Sequence, residues 1–154
     1  MVKIILSIIL LFFLCFDQAC ATKKYSIETF YAAFQPIDLA KHEFCASSVT
    51  RNQALQNLEK EIIISENEFK DFGSVLKKPS YYILTRTPDT EEGIVDPEYL
   101  QRLFELNNNY WDQLTLLKVR NPSDKSPFEY LEIVDTNTLL MESGCWVYTL
   151  KRIK

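Results

Sequence analysis

The sequence predicts an α+β fold dominated by β structure: a strongly curved antiparallel sheet or small β-barrel of about 7–8 short strands with two short helices. Three observations lead there. Short runs rich in β-branched and aromatic residues recur along the chain, the prolines and glycines fall between those runs, and only two stretches open with helix-starting residues.

In the first run, Tyr25–Phe34, Tyr25, Ile27, Thr29 and Tyr31 alternate with Ser26, Glu28 and Phe30, which predicts a strand ended by Pro36. Thr50 is an N-cap candidate for a helix over Arg51–Leu58, with Ala54, Leu55 and Leu58 as its apolar stripe. That helix should cover one end of the sheet. Glu61–Ser65 is a β-branched run, and Phe69 with Phe72 before Gly73 predicts a further strand that turns at the glycine. Lys77-Lys78-Pro79 is expected to break the ladder. Ser80–Thr87 then alternates through Tyr81, Ile83 and Thr85 and stops at Pro88, ahead of the acidic loop Asp89-Thr90-Glu91-Glu92-Gly93.

The second helix has Asp96 as N-cap, Pro97 at its first position and Glu98 in its first turn, where N–H groups lack partners. Leu100, Leu103 and Phe104 form its buried side, and Asn107-Asn108-Asn109 ends it. The runs Leu114–Arg120, Phe128–Val134, Thr138–Glu142 and Trp146–Ile153 read as the strands of a closing meander, with Asp135-Thr136-Asn137 and Ser143-Gly144 as tight turns.

Lys3 is followed by an apolar run from Ile4 through Phe16, and Ala19-Cys20-Ala21 offers the small residues that signal peptidase accepts. Residues 1–21 therefore read as a cleavable signal peptide, with a periplasmic or secreted domain over 22–154. The run is shorter than the roughly 20 apolar residues that span a bilayer, so no stable membrane span is expected. Cleavage would leave 133 residues, enough for one core, with an unchanged net charge of −4. Net acidity without a dense Lys/Arg patch argues against nucleic acid as the partner.

Export would remove Cys15 and Cys20, leaving Cys45 and Cys145 to form a disulfide in an oxidising compartment. Two cysteines and the single histidine, His42, fall short of a zinc ligand set, so no metal or other cofactor is expected. His42 also lacks an identifiable serine partner, and a bridged Cys45 cannot act as a nucleophile. The carboxylates Glu91, Glu92, Asp96 and Glu98 cluster in a loop and a helix cap instead of facing one another across a cleft. Glycine-rich phosphate loops and EF-hand loops are absent from the sequence. The chain reads as non-catalytic.

Aromatic residues are the positive signal. Most belong in a core, but Tyr110-Trp111 follows a polar Asn run, where exposure and contact with a partner are expected. Asp89, Glu91 and Glu92 would suit a cationic cleft, because opposite potentials steer encounter.

Val49–Ala54, Lys60–Ser65, Glu68–Gly73 and Lys78–Tyr81, with the closing Leu131–Leu140 and Trp146–Lys151, resemble a family of small secreted bacterial domains that is largely uncharacterised and barrel-like. The resemblance implies a barrel-like fold and no catalytic residues; relatives often place a cysteine near the position of Leu76. Tyr82–Pro88 before a helix is also similar to the end of a bacterial lipocalin, although about 60 mature residues upstream are too few for an eight-stranded barrel. The expected function is that of a protein-occluding inhibitor or immunity-type protein acting on a wall-degrading enzyme or toxin. The alternative is a carrier whose barrel holds a small apolar ligand among Ile83, Leu116 and Leu131.

Overall fold

The computed structural model describes residues 25–41, 46, 49–86, 114–123 and 127–153. Strands take up 59% of these, arranged as one strongly curled antiparallel sheet that forms a half-barrel. The nine strands are β1 (Ala32–Lys41), β2 (Ile62–Ile64), β3 (Glu68–Lys70), β4 (Val75–Lys77), β5 (Ser80–Arg86), β6 (Leu114–Arg120), β7 (Pro127–Asp135), β8 (Thr138–Ser143) and β9 (Trp146–Arg152). Their order across the sheet is β4-β3-β2-β1-β9-β8-β7-β6-β5. One α-helix, α1 (Arg51–Gln56), is present among the described residues, with 3₁₀ turns at Ile27–Phe30 and Asn57–Glu59.

The connectivity itself forces the curl. β4 and β5 are the two ends of the sheet, yet only Lys78 and Pro79 separate them in the chain. In a flat sheet of nine strands the outer two would lie about 38 Å apart, whereas the link reaches at most about 11 Å. Lys78, at φ 49°, makes the corner. The curl brings side chains from opposite halves into contact: Phe69 of β3 meets Phe128 of β7 edge-on at 5.9 Å, and Tyr81 of β5 donates its hydroxyl to the carbonyls of Ser65 at 2.9 Å and Glu68 at 3.2 Å.

The concave side holds the core, in which Phe30, Phe34, Phe69 and Tyr148 are fully buried. α1 closes over it. Thr50 and Gln53 cap that helix reciprocally, since Gln53 N donates to Thr50 Oγ1 at 3.3 Å and Thr50 N donates to Gln53 Oε1 at 2.8 Å. Buried Ala54 faces the sheet, and the Tyr148 hydroxyl receives a bond from Asn57 Nδ2 at 3.1 Å while donating to the Ala54 carbonyl at 3.4 Å.

Four sequence expectations change. The strand expected over Tyr25–Phe34 begins instead at Ala32, because a 3₁₀ turn at Ile27–Phe30 lets Tyr25, Ile27, Phe30 and Tyr31 all reach the core, where strand alternation would split them between two faces. Pro36 does not end β1. It pairs with Leu150, and the register shifts between Pro36 and Asp38, so a bulge at Ile37 absorbs the missing donor and leaves Ile37 55% exposed. Val75–Lys77 forms a strand, since the break falls at Lys78-Pro79, one residue later than expected; β3 ends at Lys70, and Phe72 packs from the following turn against Tyr148 at 4.5 Å. In the Arg51–Leu58 helix, the α-helical part stops at Gln56 and Leu55 faces solvent. The helix expected from Asp96 lies outside the described residues.

Candidate functional site

Asp89, Glu91, Glu92, Tyr110 and Trp111 all lie within 87–113, outside the described residues, as do His42 and Cys45. What the structure places is the base from which that segment departs. β5 and β6 pair without a register shift from Ser80 opposite Arg120 to Arg86 opposite Leu114. The 27 residues between them therefore leave and rejoin the sheet at a single rung. Asp89 follows Arg86 by three residues and Trp111 precedes Leu114 by three, so each is tethered within about 10 Å of that rung.

The other connections of this half of the sheet are brief: two residues join β7 to β8 and two join β8 to β9. Each is locally determined. Asp135 Oδ1 accepts from Asn137 N at 2.6 Å and its Oδ2 from the Thr138 hydroxyl at 3.0 Å, an Asx-type turn. Gly144 and Cys145, at φ 57° and 65°, supply the two left-handed positions of the last hairpin. Against this rigid frame the long segment stands out in charge as well as length. It carries seven carboxylates against the single cation Arg102, a net −6 within a chain of net −4.

Cys145 is buried in the β8–β9 turn, beside Trp146. Trp146 pairs with Lys41 at the end of β1 and donates Nε1 to the Val49 carbonyl at 3.1 Å. The chain segment that contains Cys45 is thus anchored at both ends to the residue next to Cys145.

Of the three positions expected to line a barrel interior, Leu131 lies in the concave core and Ile83 packs against it. Leu116 does not. It is buried on the opposite side of the sheet, because it alternates with Leu117, whose side chain faces the core. On that same convex side Lys118 lies 5.1 Å from the Tyr130 ring, Arg120 lies 5.8 Å from the Tyr82 ring, and Tyr82 is 47% exposed.

Sequence reasoning missed Glu129. Burial raises its carboxyl to about 7, the N–H of Tyr130 partly opposes this through a 2.9 Å bond, and the charges of Asp71 and Glu142 reinforce it. Its one sequence signal is its position between the aromatic residues Phe128 and Tyr130. Among the described residues no group of three His, Cys, Asp or Glu is placed to hold a metal ion, and no helix is long and apolar enough to cross a membrane. Comparison of the chain with protein-family models, curated proteins and solved structures found no match.

Proposed function

We propose that this protein is an exported, non-catalytic domain that occludes a cationic protein partner, such as a wall-degrading enzyme or a toxin, through the segment rooted between β5 and β6. The observation that carries this reading is the rung Arg86–Leu114: a hairpin already closed by its ladder bears a 27-residue, strongly acidic excursion that the sheet does not need for pairing. Excursions of this length from a rigid frame are characteristically functional. Their negative charge favours encounter with a basic surface.

The carrier reading draws less support, since the concave side is occupied by the rings of Phe30, Phe34, Phe69 and Tyr148. Export follows from residues 1–21, and a Cys45–Cys145 bridge is part of the same proposal. Its support is the anchoring of residues 41 and 49, which flank Cys45, on Trp146, the neighbour of Cys145. Peptide mapping of exported, unreduced protein should find these two cysteines linked, and two freely alkylated thiols would remove the bridge.

The decisive experiment is capture of the partner on immobilised processed protein, with identification by mass spectrometry. A basic wall-lytic enzyme or toxin, held at low ionic strength, released by salt and inhibited in its own assay, is the expected result. A captured protein that keeps its activity when bound, or that salt does not release, overturns occlusion through an acidic face.

A further inference from the structure

Lys118 lies between Leu117 and Val119, whose side chains belong to the concave core, so strand alternation turns it to the convex side. Its neighbours across the sheet follow it. Tyr82 of β5 and Tyr130 of β7 pair directly with Lys118, which puts the three residues in one row on that side. The Lys118 ammonium sits 5.1 Å from the centre of the Tyr130 ring, and the Arg120 guanidinium, one alternation along β6, sits 5.8 Å from that of Tyr82. Tyr82 is 47% exposed and the other three are half-buried. Two rings are thus each held by a cation on a rigid sheet while part of their surface faces water.

We propose that this row is a binding surface for an acidic polysaccharide, with Tyr82 and Tyr130 stacking on sugar rings and Lys118 and Arg120 pairing with their carboxylates. Shape, spacing and charge select this occupant. A convex surface does not enclose a small ligand as a cleft does, so the occupant lies along it as an extended chain. Two strand spacings, about 10 Å, separate Tyr82 from Tyr130, a distance that a disaccharide unit of an extended glycan bridges. Tyrosine suits the C–H face of a sugar, because its ring is apolar and its hydroxyl can bond to those of the ligand. Cations alternate with the rings, and among the described residues Lys118 makes no salt bridge, so its ammonium is available to a ligand anion. Two cations are few for a phosphate backbone, where affinity grows with the number of charges neutralised.

The proposal is independent of the occlusion reading, which concerns the acidic segment. Cross-strand cation–ring pairs also help to hold a sheet together, so binding and stability are read separately. Titration of the full chain with short oligogalacturonate, followed by two-dimensional amide NMR, is the test. Amides of 82, 118, 120 and 130 should shift together, and a neutral cello-oligosaccharide of equal length should bind far more weakly. Tyr82→Ala and Lys118→Gln should each weaken binding roughly tenfold, and Lys118→Arg should restore most of it. Lys118→Gln keeps most of the stem, so it remains informative even if Tyr82→Ala lowers the urea midpoint. Absence of binding, shifts confined to another surface, equal binding of the neutral sugar, or unchanged affinity in folded Lys118→Gln overturns the proposal. So does equal affinity for polyglutamate or for a single-stranded oligonucleotide, which would make the row a contact for acidic protein or nucleic acid.

Discussion

Glu129 pairs with Val119 at the start of β7, where the register shifts and Phe128 turns into the core. Its burial has a sign that can be worked out. The unfolded chain loses this proton near 4.5, whereas the folded chain keeps it to about 7, so folding takes up a proton in between. Stability is therefore fully present below about 4.5 and declines as pH rises through about 7, by about 3 kcal/mol. Urea midpoints measured across that window should fall with pH, and Glu129→Gln should flatten the fall; an equal slope in both proteins would place the titration elsewhere. Thr149 is a second residue whose environment opposes its chemistry. Removing a buried hydroxyl without a partner while keeping its shape should be neutral or stabilising, by about 1 kcal/mol for Thr149→Val. A clear loss of stability in denaturant titration would show that the hydroxyl has a partner.

At the level of elements, the weak part of the sheet is the trio β2, β3 and β4, each of three residues. So few ladder bonds cannot hold an edge, and side chains reaching across the concave side supply the rest. Tyr81 does most of this from β5, by bonding two carbonyls of the β2–β3 turn and packing 6.0 Å from Tyr31. Burial raises its hydroxyl to a strongly basic value, consistent with a neutral donor across the physiological range. Tyr81→Phe should cost about 1 kcal/mol, because the Ser65 carbonyl loses its donor while the Glu68 carbonyl keeps those from Ser65 N and Oγ. The loss should be local: hydrogen exchange should quicken over β2 and β3 and leave β8 and β9 unchanged. A uniform change across the sheet would mean that the edges are not held independently.

At the scale of the whole molecule, charge is separated from packing. The 87–113 segment is net −6, which leaves net +2 on the rest of the chain. Under the proposed function, neutralising Asp89, Glu91 and Glu92 together should slow association with the captured partner more than it speeds dissociation, since rim charges act on encounter and are screened over about 8 Å at physiological salt. Trp111→Ala should do the reverse, raising the off-rate through loss of about 2 kcal/mol or more. Both are measured by surface-based kinetics on folded protein. Unchanged rates in both variants would move the contact to another surface, such as the Tyr82–Lys118–Tyr130 stripe.

Local chemistry was legible wherever neighbours in sequence decide conformation. The N-cap at Thr50, the Asp135–Asn137 turn, the turn after Ser143 and the four closing strands depend on residues a few positions apart, and the chain alone determined them. So did the β-dominated curved class, because short β-branched runs broken by Pro and Gly permit little else. Tertiary structure alone decided the ends and the sides. Whether Pro36 stops a strand depends on a bulge against β9, and whether Ile27–Phe30 alternates or turns depends on a core that wants four aromatic and aliphatic side chains on one side. The face to which Leu116 points depends on register with Leu117, and the charge state of Glu129 depends first on its burial and then on Asp71 and Glu142 brought near from elsewhere in the chain. These are long-range pairings, in which a shift of one residue exchanges the two faces of a strand, and no local pattern carries that information.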